Sequence, residues 1–171
     1  MNNVIEIIPL VGINWEGKSV CLQAAREEII NILGTPYGAF GKSIYYFQND
    51  LRIDFDGNGR AEFIEFLGGI DGKLQPEVYG VKAFEARADE LFNILKMNNN
   101  GEINDNENGY SYGFLNISVG IFRERTPEDV REMIEEAEEE GEELEQEDLE
   151  YEKRKAEHWA TIGIGVKGYY L

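Results

Sequence analysis

The sequence has almost none of the residues that usually carry chemistry. It holds one cysteine, Cys21, and one histidine, His158. A lone cysteine excludes an intramolecular disulfide, and one Cys with one His cannot supply the usual zinc ligands. Cys21 reads as a small buried side chain on a helix, in a chain suited to a reducing compartment. Positive charge is also scarce, with 16 Lys and Arg against 34 Asp and Glu and a net charge of −18. Nucleic acid and anionic lipid require the opposite sign, so neither is an expected partner. No apolar run reaches the length of a membrane span. The opening MNNVIEIIPLVGI carries no basic n-region and no small-residue cleavage site. A cytoplasmic protein is the expectation.

What is present is a core and a concentrated acidic stretch. Of 171 residues, 42% are hydrophobic and 12% aromatic, with nine Tyr and nine Phe. That is enough for one folded domain and too rich for disorder. The negative charge is uneven. Residues 128–150 hold fourteen acids against one base, Arg131, leaving only −5 for the rest of the chain.

Residues 4–13 read as an opening extended segment, with Pro9 marking an edge or break. Leu22, Ala25, Ile29, Ile32 and Leu33 fall on one helical face, with Ser19 as N-cap and Gly34 and Pro36 as the stop. Leu51, Ile53 and Phe55 alternate as in a strand. Asp56-Gly57-Asn58-Gly59 is a turn, and Ala61–Leu67 follows as the partner strand. The pattern then recurs. Phe84, Ala88, Leu91, Phe92 and Leu95 share a second helical face, ending at Asn98–Gly101. Glu28–Leu33 and Glu90–Leu95 match at four of six positions with an offset of 62. Leu115–Val119 reads as the second unit's alternating strand, and Thr161–Tyr170 as its last. The expected fold is α+β: a single domain, residues 1–171, of two tandem helix-plus-antiparallel-sheet units, 1–70 and 71–171. An acidic helical insertion, 127–157, precedes the last strand. Thr126-Pro127-Glu128-Asp129 is a strong helix start, Gly141 a break, and 142–157 a second helical piece.

One segment has the pattern of a metal site. Asp54, Asp56, Asn58, Gly59, Arg60, Glu62 and Glu65 occupy every required position of an EF-hand calcium loop. The same residues suit a hairpin turn between alternating strands. The Tyr-rich and alternating flanks favour the hairpin, so neither a metal nor a cofactor is expected. His158 stands beside Trp159 without a triad partner and reads as structural.

Gly17-x-Ser19, Ile32-Leu33-Gly34-x-Pro36, Tyr45-Tyr46-Phe47 and Leu51-x-Ile53-x-Phe55-Asp56-x-Asn58-Gly59 resemble the repeat of the β-lactamase-inhibitor-protein-like and small outer-membrane lipoprotein families, over about fifty residues. In size and acidity the chain is similar to immunity proteins of bacterial toxins. Both resemblances imply a binding role, with a sheet face presenting aromatics to a partner. The expectation is therefore a non-enzymatic protein-binding module, an inhibitor or immunity protein for a basic partner. Its acidic residues Glu138, Glu139, Glu142 and Glu143 would steer that partner. The alternatives are a calcium-binding protein using loop 54–65 and an enzyme of unrecognised type.

Overall fold

The computed structural model describes residues 4–171; Met1–Asn3, part of the stretch read for an export signal, lie outside the described residues. The opening segment is a hairpin rather than one extended piece. Strands β1 (Ile5–Ile8) and β2 (Gly12–Trp15) pair antiparallel with Ile7 opposite Ile13, and Pro9 sits in the turn between them. The expected first helix is shorter than its apolar spacing suggests. Lys18–Cys21 forms β3, paired to β2 with Val20 opposite Ile13, and α1 runs only over Arg26–Leu33. Ser19 is not an N-cap. It lies in β3 and donates its hydroxyl to Asn14 Oδ1 at 2.7 Å, while Ala25 holds the cap position without a side-chain bond. Cys21 is likewise an exposed strand residue and not a buried helical one. The confusion has a simple cause. Val20 and Leu22 are both buried, but they enter the core from a strand and its exit rather than from a helical stripe. Gly34 ends α1 at a positive φ of 87°, which glycine adopts freely, as its position after Leu33 predicts.

A four-stranded antiparallel meander follows: β4 (Gly38–Phe40), β5 (Ser43–Tyr46), β6 (Leu51–Phe55) and β7 (Ala61–Phe66). Two short strands, β8 (Pro76–Val78) and β9 (Val81–Lys82), then join β1 to complete a five-stranded sheet of order β3-β2-β1-β8-β9, with β8 parallel to β1. Helix α2 (Ala88–Asn99) starts 62 residues after α1, the offset read from the sequence. It leads into β10 (Ile103–Asn104), β11 (Ser111–Phe114) and β12 (Val119–Phe122), the helices α3 (Pro127–Glu140) and α4 (Gln146–Glu157), and β13 (Thr161–Gly165). Leu115–Val119 is therefore mostly the turn between β11 and β12, and not a strand. Asn99, 2% exposed, holds that turn, accepting from Asn116 N at 2.8 Å and Ile117 N at 3.2 Å. The last strand stops at Gly165, five residues short of its expected end.

The fold is α+β. The large sheet has eight antiparallel strands in the order β10-β11-β12-β13-β7-β6-β5-β4. Strands β4–β7 follow α1 directly, while β10–β13 follow α2 with α3 and α4 lying before β13; the two runs meet where β13 pairs with β7, Ile164 opposite Ile64. Each sheet takes strands from both sides of residue 70. One continuous core joins Ile5, Ile7, Ile13 and Val20 of the small sheet with Ile29 of α1, and with Leu91 and Leu95 of α2. The inner face of the large sheet adds Ile44, Leu51, Ile53, Ile64, Phe66, Val119, Ile121, Ile162 and Ile164. Strand alternation turns every second side chain of that sheet away from this core.

Helix α3 begins as its sequence predicts, in a reciprocal capping box. Thr126 Oγ1 accepts from Asp129 N at 3.2 Å, and Asp129 Oδ2 accepts from Thr126 N at 2.9 Å. Gly141, left-handed at φ 69°, ends it. The second helical piece starts at Gln146 rather than 142, because the chain is still extended at Glu145. Trp159, 2% exposed, fixes the foot of this arm. Its indole Nε1 donates to Ala88 O at 2.8 Å, and the Arg123 guanidinium lies 4.6 Å above its ring. His158 Nδ1 lies 3.0 Å from Ala86 O, a structural anchor for the end of α4.

Candidate binding face

The loop with the calcium-binding pattern is a hairpin between strands. Asp56 N donates to Arg60 O at 2.8 Å, and Asp56 Oδ1 accepts from Asn58 N at 2.8 Å and Arg60 N at 3.0 Å. The flanking segments are β6 and β7, where an EF-hand needs helices. Asp54 accepts from Ser43 Oγ at 2.5 Å and lies 3.4 Å from Arg52 Nε, while Glu65 pairs with Arg52 Nη2 at 3.2 Å. Strand alternation keeps Asp54 on the sheet and Asp56 in the turn, so the acids do not converge. Among the described residues no group of three or more His, Cys, Asp and Glu is placed to hold a metal ion.

Those same acids belong to a different arrangement. The outward residues of the large sheet form a cross-strand row that reads Asn104, Gly113, Gly120, Gly163, Glu65, Arg52, Tyr45, Gly38, one from each strand β10 to β4. The β4–β7 half of the row carries a charged pair and a tyrosine; the β10–β13 half carries three adjacent glycines. A second row runs Gly165, Phe63, Asp54, Ser43, Phe40. Arg52 bridges the rows. It contacts both carboxylates, and its guanidinium lies 5.5 Å from the Phe63 ring centroid. Withdrawal from water pushes the Glu65 carboxyl above the usual carboxylate range, with Arg52 pulling the other way and Asp54 adding to the rise. A polar cavity of about 390 Å³ opens here, bounded by Arg52, Glu65, Asn104, Ser111, Thr161 and Tyr170. Toward the β4 edge the face is uncovered, and Phe40 is 83% exposed.

The sequence-predicted partner residues lie elsewhere. Glu138 and Glu139 are in the last turn of α3, and Glu142 and Glu143 directly follow Gly141; all four are exposed. The turn thus brings them together at the tip of the arm. No basic residue stands in the last turn of α3, and none of the four belongs to an ion pair among the described residues. Acids at a helix C-terminus oppose the helix dipole, so the tip is electrostatically unfavourable in the isolated chain. The foot of the arm, by contrast, is neutralised by Arg125–Glu152 at 2.7 Å, Lys155–Glu124 at 3.2 Å and Arg154–Asp71 at 3.2 Å.

Sequence reasoning missed the outer face. Arg52 and Tyr170 belong to no motif, and Gly113, Gly120 and Gly163 lie far apart in the chain. The signal was alternation: Gly163, Gly165, Gly113 and Gly120 each stand beside a large apolar residue at strand period. No family model matches the chain, and no curated protein or solved structure is significantly similar to it.

Proposed function

We propose that this protein is a non-enzymatic protein-binding module, acting in the cytoplasm as an inhibitor or immunity protein for a basic protein partner. The observation that carries the reading is the unneutralised acidic tip at Glu138, Glu139, Glu142 and Glu143. An arm that spends stability on repelling charge gains from a cationic partner, both in attraction and in rate of encounter. The outer face of the large sheet supplies the contact surface. Phe40, Tyr45 and Phe122 project from it as aromatic anchors around the Arg52 and Glu65 pair. The mirrored strand order also supports reading the two halves as a tandem repeat.

The test is the fourfold variant Glu138→Gln, Glu139→Gln, Glu142→Gln and Glu143→Gln. A partner is captured from native lysate at low and high salt, and its association is timed with parent and variant. The variant associates about tenfold more slowly at low salt, and the difference closes at high salt. Equal association rates at low salt would remove the steering role and leave the tip as a solvated helix end.

A further inference from the structure

The segment after β13 turns back over the outer face. Val166 N donates to Glu62 O at 3.0 Å, Ser118 Oγ donates to Val166 O at 2.8 Å, and Gly168 reverses the chain at φ 87°. Tyr169 then stacks flat on Phe63, centroids 4.5 Å apart and planes 7° from parallel. Tyr170 lies over Gly113, Gly120 and Gly163, and meets Phe63 edge-on at 6.2 Å. The glycines are what admit these rings. A Cβ on Gly165 would stand 2.5 Å from Tyr169 Cβ, and one on Gly113 3.1 Å from Tyr170 Cβ.

The segment is held by its rings more than by its backbone. Beyond Val166 its backbone hydrogen bonds are internal, Tyr169 N to Val166 O and Leu171 N to Gly168 O. The sheet adds a long bond at 3.4 Å, from Asn104 Nδ2 to Tyr170 O. What it covers is mixed: Phe63 lies under Tyr169, glycines lie under Tyr170, and charged groups stand beside them. Arg52 Nε is buried without a hydrogen-bond partner, and Glu65 is withdrawn from water beside the polar cavity. Withdrawing the Arg52 and Glu65 charges from water beside the two tyrosines is costly even though they are paired. Three glycines, an arginine whose Nε lacks a hydrogen bond, and open polar space make a seat that accepts aromatic rings and keeps hydrogen-bonding capacity in reserve.

We propose that this glycine-floored seat is the docking site for a partner segment carrying adjacent aromatic side chains, and that Tyr169 and Tyr170 occupy it as an intramolecular competitor. The chemistry of the guest follows from the occupant already seated, an aromatic pair close behind the cation Lys167. The inference rests on the reading of the outer face as the contact surface, and adds how that surface is regulated. A partner must displace the tyrosine pair, so its apparent affinity is reduced by the fraction of time the seat is open.

The probe is a fluorescein-labelled peptide of the seated sequence, Val166-Lys-Gly-Tyr-Tyr-Leu171, added to the full chain and followed by anisotropy. A control peptide has serine at both tyrosines. With the seat open roughly 1% of the time, the parent binds about a hundredfold more weakly than an unoccupied seat would. The full-chain variant Tyr169→Ser/Tyr170→Ser therefore binds the tyrosine peptide about tenfold or more tighter than the parent, and ignores the control. A folded variant that binds no better than the parent, or equal binding of the control, overturns the proposal. So does loss of folding in the variant by circular dichroism, which would make the tyrosines part of the structural core. The assay does not involve residues 138–143, and the glutamine variant leaves both tyrosines in place, so the two ideas fail separately.

Discussion

Asn99→Ala removes one small side chain and should cost more stability than its size suggests. The amide is buried at the end of α2 and serves three backbone groups: Nδ2 donates to Glu102 O at 3.0 Å, and Oδ1 accepts from Asn116 N and Ile117 N. A typical hydrogen bond contributes about 1 kcal/mol net, and a buried group left unpaired costs about 1–3 kcal/mol. Ile117 N is the most enclosed of the three, while Asn116 is near solvent and can recover a water. The expected loss is therefore about 3–4 kcal/mol. In a chain of this size that lowers the melting temperature by roughly 6–16 °C. Asn99→Asp keeps the acceptor oxygen and loses the donor, and should cost about 1–2 kcal/mol. Urea titration followed by circular dichroism gives both values. A loss below about 1 kcal/mol for the alanine variant, with an unchanged urea slope, would show that water replaces the amide and that the turn does not depend on it. An aspartate variant weaker than the alanine one would refute the assignment of roles to the two amide atoms.

Gly120→Val puts a side chain where Tyr170 lies, at a cost of roughly 1–3 kcal/mol for overpacking, and chymotrypsin should then cut at Tyr169 and Tyr170 faster than in the parent; equal cutting would mean the seat has slack. The raised Glu65 pKa makes the folded state favour its protonated form. Its contribution to stability is present below the ordinary carboxylate pKa and is lost as pH rises through the raised folded value. The urea midpoint of the parent should fall across that window relative to Glu65→Gln, and a relative gain would show that Arg52 outweighs desolvation. Amide exchange should be fastest in the described chain around residues 138–148, where side chains are almost all exposed, and protection there equal to that of β6 and β7 would contradict the account of the tip.

Local signals were legible in the sequence and long-range ones were not. The Thr126–Asp129 capping box, the Gly34 and Gly141 stops and the Asp56–Gly59 hairpin are each specified within a few neighbouring residues. The offset of 62 between Glu28–Leu33 and Glu90–Leu95 equals the offset between the starts of α1 and α2, although both helices begin later than their apolar spacing suggests. The failures share another cause. Ser19 and Leu22 sit at helical spacing from Ile29, yet β2 recruits Lys18–Cys21 as a partner strand, a choice made by tertiary pairing. Leu115–Val119 alternates like a strand, but the remote Asn99 fixes most of it as a turn. The outer face was hidden most completely. Its meaning depends on Gly113, Gly120 and Gly163 becoming neighbours across three strands, and on a segment that folds back to fill them.

The central seam of the large sheet has a consequence for the order of assembly. Strand β7 is complete by Phe66, but its partner β13 is not synthesised until Thr161, after the whole acidic arm. In a chain growing from its N-terminus, the edge of β7 with Phe63, Ile64 and Phe66 therefore stays unpaired for about a hundred residues of elongation. An unpaired apolar edge is a template for wrong partners. The charge that accumulates just before β13 emerges gives neighbouring nascent chains a common reason to stay apart. Deleting the arm should thus do more harm to the yield of soluble protein than to the stability of the molecules that succeed in folding.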